Sequence, residues 1–214
     1  MKVVTTPMCE KIVEIAGIKD FKVSKNIDEE EGDLAILMSE KKTKMNSLVI
    51  KLNTFNQIKN SIFEVYKYNT SINKPNLDDE VNKIFIDNNM YNWIDKNQKK
   101  ELKELNSNIK VMVYTIFLKE IVEDMGFEIL NLNIFDLDIK KHKEIILEDL
   151  IAIEESDDLD VDYLIFPDYF EIKISYLTPK IQNKIVLIPT HNNISKNPIE
   201  RAITRYSILE RLIN

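Results

Sequence analysis

The sequence predicts an α/β fold: a three-layer sandwich with a mostly parallel central sheet and a helical insertion. Three observations carry that expectation. Short apolar runs alternate with amphipathic stretches at both ends of the chain, the pattern of strand–helix crossovers that join parallel strands. The middle of the chain, 76–125, keeps only the helical period. The length of 214 residues, with 44% hydrophobic and 30% charged residues, suits a single domain, 1–214, with its own core.

The elements follow in order. Lys2–Thr5 (KVVT) reads as a buried strand, broken at Thr6-Pro7. Met8 to Gly17 reads as a helix, because Pro7 suits a first turn and Gly17 a C-terminal stop. Phe21–Ser24 is a second strand, Asn26–Gly32 an acidic loop, and Asp33–Met38 and Ser47–Leu52 are further strands. Ile58, Ile62, Val65 and Tyr66 mark a helix over Asn56–Tyr68. Asn69–Asn76, with Pro75, is a linker. Helices are then expected over Asp78–Asn88, Tyr91–Leu105 and Asn108–Met125, forming a lid or a dimer-forming element. The alternation resumes with a strand at Phe127–Leu132, a helix at Lys140–Ile153 and strands at Tyr163–Phe166 and Lys184–Ile188. A last helix begins at Pro198 and runs to about Leu212. No internal repeat is visible in the residues.

Composition removes several classes of function. A net charge of −7 argues against a general nucleic-acid binder, which needs a basic face. Three glycines leave no room for a Gly-rich phosphate loop. One cysteine and two histidines, without metal-ligand spacing, predict no metal site. No apolar run reaches the length of a membrane-spanning helix, and no secretory h-region opens the sequence. The expected setting is therefore the cytoplasm, with no membrane or nucleic-acid partner.

Ligands in open α/β sheets bind beyond the carboxyl ends of the strands. That rule nominates the loops Thr5–Cys9, Ser39–Lys44, Asn53–Asn56, Pro167–Tyr169 and Thr190–Asn193. The first is the sharpest. Thr5, Thr6, Pro7 and Met8 are candidate ligand contacts, and Cys9 sits in the first helical turn, where unpaired N–H groups favour a thiolate or an oxyanion. The same cysteine also reads as a small buried core residue. Thr190 and His191 follow a strand and are further ligand candidates. Arg201, Arg205 and Arg211 are the only arginines; the first two share a helix face and suit an anion, either a ligand or a partner carboxylate. A solvated or ion-paired face is the competing reading.

The opening MKVVTTPMCEKIVEIAG, with its cysteine in the first strand-to-helix loop, resembles the archaeal F protein family of guanylylpyridinol cofactor biosynthesis for the [Fe]-hydrogenase of methanogens. The resemblance covers about the first 17 residues. It implies a protein that binds guanylylpyridinol, a nucleotide-like small molecule, after an adenylating partner protein has activated the pyridinol carboxylate. Cys9 would then displace AMP and hold the acyl group as a thioester, in an acyl-accepting protein. Apart from the resemblance, a homodimer is a possible assembly and no metal is expected. A non-catalytic nucleotide-binding or scaffold protein with a buried structural Cys9 is the alternative expectation.

Overall fold

A computed structural model describes residues 1–39, 41–70, 76–87, 90–93, 95–130, 150, 160–169, 177–190 and 194–213. Its elements in chain order are β1 (Val3–Thr5), α1 (Glu10–Ile15), β2 (Phe21–Val23), β3 (Leu34–Met38), β4 (Ser47–Ile50), α2 (Phe55–Tyr66), α3 (Leu77–Asp87), α4 (Lys96–Asn106), β5 (Lys110–Val113), α5 (Ile116–Met125), β6 (Glu128–Ile129), β7 (Tyr163–Pro167), α6 (Pro179–Gln182), β8 (Ile185–Ile188) and α7 (Pro198–Glu210). The α/β class with parallel strands is what the chain adopts, but the strands among the described residues form two sheets of four rather than one central sheet. They fall in two compact units, Met1–Lys99 with Ser195–Ser207, and Lys100–Ile194 with Ile208–Asn214. No helix among the described residues is long and apolar enough to cross a membrane.

In the first unit the strand order is β2-β1-β3-β4, all parallel. Val4, Ala35 and Leu37 bury one face of this sheet with Ile27, and Met45 packs against them. An aromatic cluster adds a second centre of burial. The Phe55 ring meets Phe85 edge-on at 5.7 Å and Tyr206 at 4.5 Å, and Trp93 stands edge-on to Tyr206 at 5.1 Å. Such ring pairs add to the large area each aromatic removes from water. Helix α2 starts with a capping box: Gln57 donates its backbone N–H to the Thr54 hydroxyl, and Thr54 donates its own N–H to the Gln57 side chain.

The second unit repeats the plan. Its order is β6-β5-β7-β8, again all parallel. The register matches as well. Val3 pairs with Phe21 and Leu34, and Val111 with Ile129 and Tyr163. One residue further along the third strand of each sheet, Ala35 meets Ser47 and Leu164 meets Ile185. In both sheets the first strand is flanked by the second and third, so the chain reverses its winding there and makes a switch point. The core of this unit gathers Met112, Tyr114, Leu164, Phe166 and Ile181, with Tyr114 stacked on Phe166 at 4.2 Å.

The two first crossover helices end alike. Gly17 follows α1 at φ +74°, and Gly126 follows α5 at φ +91°, the left-handed conformation that lets a helix stop. The Asn69 amide donates to the Ala16 carbonyl (3.0 Å), and the Asn106 amide to the Met125 carbonyl (2.7 Å). Each asparagine satisfies a carbonyl that the end of a helix leaves open.

The structure departs from the sequence reading most in the middle. The helix expected over Asn108–Met125 is a strand, β5, followed by α5. Within β5, Val111–Val113 is an apolar run too short for its period to separate strand from helix. The helix expected over Tyr91–Leu105 is a 3₁₀ turn at Tyr91–Trp93 followed by α4. Apart from Leu150, the helix expected at Lys140–Ile153 lies outside the described residues.

Candidate functional site

The carboxyl end of β1 is built from local backbone turns. Thr5 donates its hydroxyl to the Ile36 carbonyl on β3 (2.9 Å), so it closes the strand end rather than facing outward. Pro7 interrupts the strand, and the chain turns until the Cys9 N–H donates to the Thr6 carbonyl at 2.9 Å. Cys9 caps α1, whose own N–H groups at Ile12 and Val13 donate to the Cys9 carbonyl. Its side chain is fully enclosed, 0% exposed, and its sulfur accepts the Thr6 hydroxyl at 3.3 Å. Thr6 is buried, whereas Pro7 and Met8 are half-buried.

Arg201, from the first turn of α7, reaches this loop. Its Nη1 lies 3.5 Å from Met8 Sδ and donates to the carbonyls of Ser195 (3.4 Å) and Lys196 (3.3 Å). The side chain is only 2% exposed. Burial pushes its pKa below the usual arginine value, while the neighbouring Cys9 sulfur acts in the opposite direction. Arg205, one turn on, is 5% exposed. Neither arginine lies on a solvated face, which corrects the solvated half of that competing reading. The Ser195 and Lys196 carbonyls were missed by sequence reasoning, because backbone groups carry no residue signal. The Ser-Lys-Asn-Pro string at a helix start was the available hint. Glu200 locks this start by accepting from Ser195 Oγ (2.6 Å) and Asn197 Nδ2 (3.1 Å).

The remaining candidates belong to the second unit, at the carboxyl ends of β7 and β8. Thr190 is buried and donates both its N–H (3.0 Å) and its hydroxyl to Asp168 Oδ1. The Asp168 N–H in turn donates to the Ile188 carbonyl at 2.9 Å. Asp168 is thus the organising group of this loop pair, and only its place after a strand hinted at that. His191 lies outside the described residues. The structure therefore gathers Thr5, Thr6, Pro7, Met8, Cys9 and Arg201 in the first unit and places Thr190 in the second.

No family model and no curated protein matches the chain. Solved structures do match along its whole length. The laminin binding protein of Streptococcus agalactiae, described as an adhesin with metal transporting activity, is 11% identical, with 100% of this chain and 99% of that chain covered and a TM-score of 0.53. A metal-free mutant of the periplasmic metal binding protein from Candidatus Liberibacter asiaticus is 8% identical, with 100% of each chain covered and a TM-score of 0.57. The Zn(II)-bound E280Q mutant of AdcAII from Streptococcus pneumoniae is 12% identical, covering 100% and 98%, with a TM-score of 0.55. At these identities the likeness is one of fold.

These findings overturn the resemblance to the F protein family. That resemblance rested on one strand–loop–helix segment, whereas the matching structures span the whole chain and are adhesin and metal-binding proteins. With it go guanylylpyridinol as the bound precursor, the thioester on Cys9 and the hydrogenase-cofactor function. The local geometry supplies a physical reason: Cys9 is enclosed, and its N–H is already spent on Thr6 rather than held open for an oxyanion. The nucleotide-binding or scaffold alternative finds no counterpart among these structures either. The expectation of no metal is contradicted by neighbours described as Mn- and Zn-bound, and the cytoplasmic expectation by neighbours described as periplasmic.

Proposed function

We propose that this chain is a binding protein for a small solute, received in the first unit beyond the carboxyl ends of β1 and β3. One observation carries the reading: two units with the same strand order and register, each with its own switch point, match binding proteins along the full chain. Switch points are where open parallel sheets receive ligands. The neighbours suggest a divalent metal ion as one cargo. The described residues do not fit it: no three His, Cys, Asp or Glu side chains among them group to hold a metal ion. At the end of β1, moreover, the sulfurs of Met8 and Cys9 stand beside a guanidinium, which repels a cation.

The test is a thermal-shift screen of the full chain against small solutes of several classes, with Mn²⁺ and Zn²⁺ chlorides and small anions among them. A binder raises Tm in proportion to the logarithm of its concentration above Kd. The expected result is a concentration-dependent rise with at least one solute, reproduced as saturable heat in calorimetry. A folded chain whose Tm none of them moves would remove the reading.

A further inference from the structure

We propose that Arg201 anchors a small oxyanion, a carboxylate or phosphate group, at the carboxyl edge of β1. The inference rests on the solute-binding reading and names the chemical class of its cargo. A guanidinium carries five N–H donors in a fixed planar fork. In Arg201 only Nη1 is engaged, with two backbone carbonyls and a weakly accepting thioether. Nη2 and Nε make no hydrogen bond to any described residue, and together they form the edge of the fork that grips an oxyanion through two parallel bonds.

The charge on this group is the second part of the argument. Arg201 is 2% exposed, and among the described residues no carboxylate lies within ion-pair distance of it. Buried charges in folded proteins are ordinarily paired, because a desolvated charge without a partner is costly. This chain has 36 Asp and Glu to draw on and a net charge of −7, so an internal counter-ion was readily available. Its described ion pairs instead join lysines to carboxylates, most of them at exposed positions. A buried cation with the Cys9 sulfur beside it but no carboxylate partner among the described residues, at a sheet's switch point and with half its fork unused by them, is an arrangement that an incoming anion completes. The Ser195 and Lys196 carbonyls hold the guanidinium in place without neutralising it.

The experiment uses the full chain at low salt with inorganic phosphate, sulfate, acetate and succinate, beside MnCl₂ and ZnCl₂. The first two probes represent phosphate-like anions and the next two carboxylates. Calorimetry should show saturable binding of at least one oxyanion, weakened at least about tenfold in R201Q and in R201K, which lacks the fork. A second variant guards against misfolding. R201M removes an uncompensated charge while keeping an unbranched chain, so in anion-free buffer its Tm should equal or exceed the wild type. Its Tm should then fail to rise with the oxyanion that stabilises the wild type. Equal oxyanion stabilisation of R201M and wild type would overturn the proposal. So would an R201M Tm that falls in anion-free buffer while no oxyanion moves the wild type, which makes the guanidinium a backbone clasp. Binding of Mn²⁺ or Zn²⁺ without any oxyanion overturns this proposal and leaves the solute-binding reading standing. Binding of no probe of either class counts against both.

Discussion

The hydroxyl of Thr6 donates to the sulfur of Cys9 across 3.3 Å, and both side chains are buried from solvent. A thiol held this way is reached only when the turn opens, so its reactivity reports local or global unfolding. Modification by a neutral thiol reagent should be slow in the native protein and complete within mixing time in denaturant. Cys9→Ala should lower stability by roughly 1 kcal/mol, the usual cost of a modest core change. Rapid native modification would show the turn to be open in solution.

Asn106 makes a comparably local contribution at the end of α5. Its amide satisfies the buried Met125 carbonyl. Asn106→Ala should cost about 1–3 kcal/mol, the penalty for leaving a buried carbonyl unmet. Urea denaturation should show a lower midpoint with an unchanged slope. An unaltered midpoint would mean that water replaces the amide without loss.

At the other end of a helix, the Thr54–Gln57 capping box fixes where α2 begins. Thr54→Ala removes one half of it and should cost about 1 kcal/mol, whereas Thr54→Ser should cost a fraction of that. Equal losses in the two variants would show that the methyl group, not the hydroxyl, matters at this buried position.

Acid should loosen the start of α7. Hydrogen bonds from Ser195 and then Asn197 hold the Glu200 carboxyl below the ordinary glutamate value. A depressed folded pKa means that the unfolded chain takes up the proton first as pH falls. The stabilisation is therefore fully present above the ordinary value and is lost as pH drops through the folded one. Glu200→Gln should be less stable than wild type at neutral pH, with the difference vanishing at the acid end of a pH series. A difference that stays constant from neutral to strongly acidic pH would dissociate Glu200 from the acid response.

Much of the fold was legible because strands such as Leu34–Met38 and Tyr163–Pro167 are short, apolar and bounded by breakers. The duplication was not. It resides in backbone pairing, where Val3 and Val111 share a position, but so do Leu34 and Tyr163, or Ser47 and Ile185. Hydrogen-bond register leaves side chains free to differ, and a comparison of letters sees only the side chains. For the site, the position of Cys9 after a strand was readable from Thr6-Pro7. Its enclosure was not, because that depends on a turn fixed by the Cys9 N–H and the Thr6 carbonyl. Arg201 was visible as a charge on a helix, but its burial against Met8, nearly the whole chain away, is a product of tertiary folding.

The chain holds only three glycines, and two of them end the first crossover helix of their unit, Gly17 one residue past the Ala16 cap and Gly126 at the cap itself. Any side chain at Gly126 would put its Cβ 2.6 Å from the Lys103 Cα, and one at Gly17 would press on the Asn69 amide at 2.7 Å. Both positions also need a left-handed backbone, which L residues adopt at a cost. Gly32 is as crowded, a Cβ there meeting Val4 Cγ2 at 2.6 Å, but it lacks the positive φ, so an alanine at Gly17 or Gly126 strains backbone and packing together, whereas at Gly32 it strains packing alone.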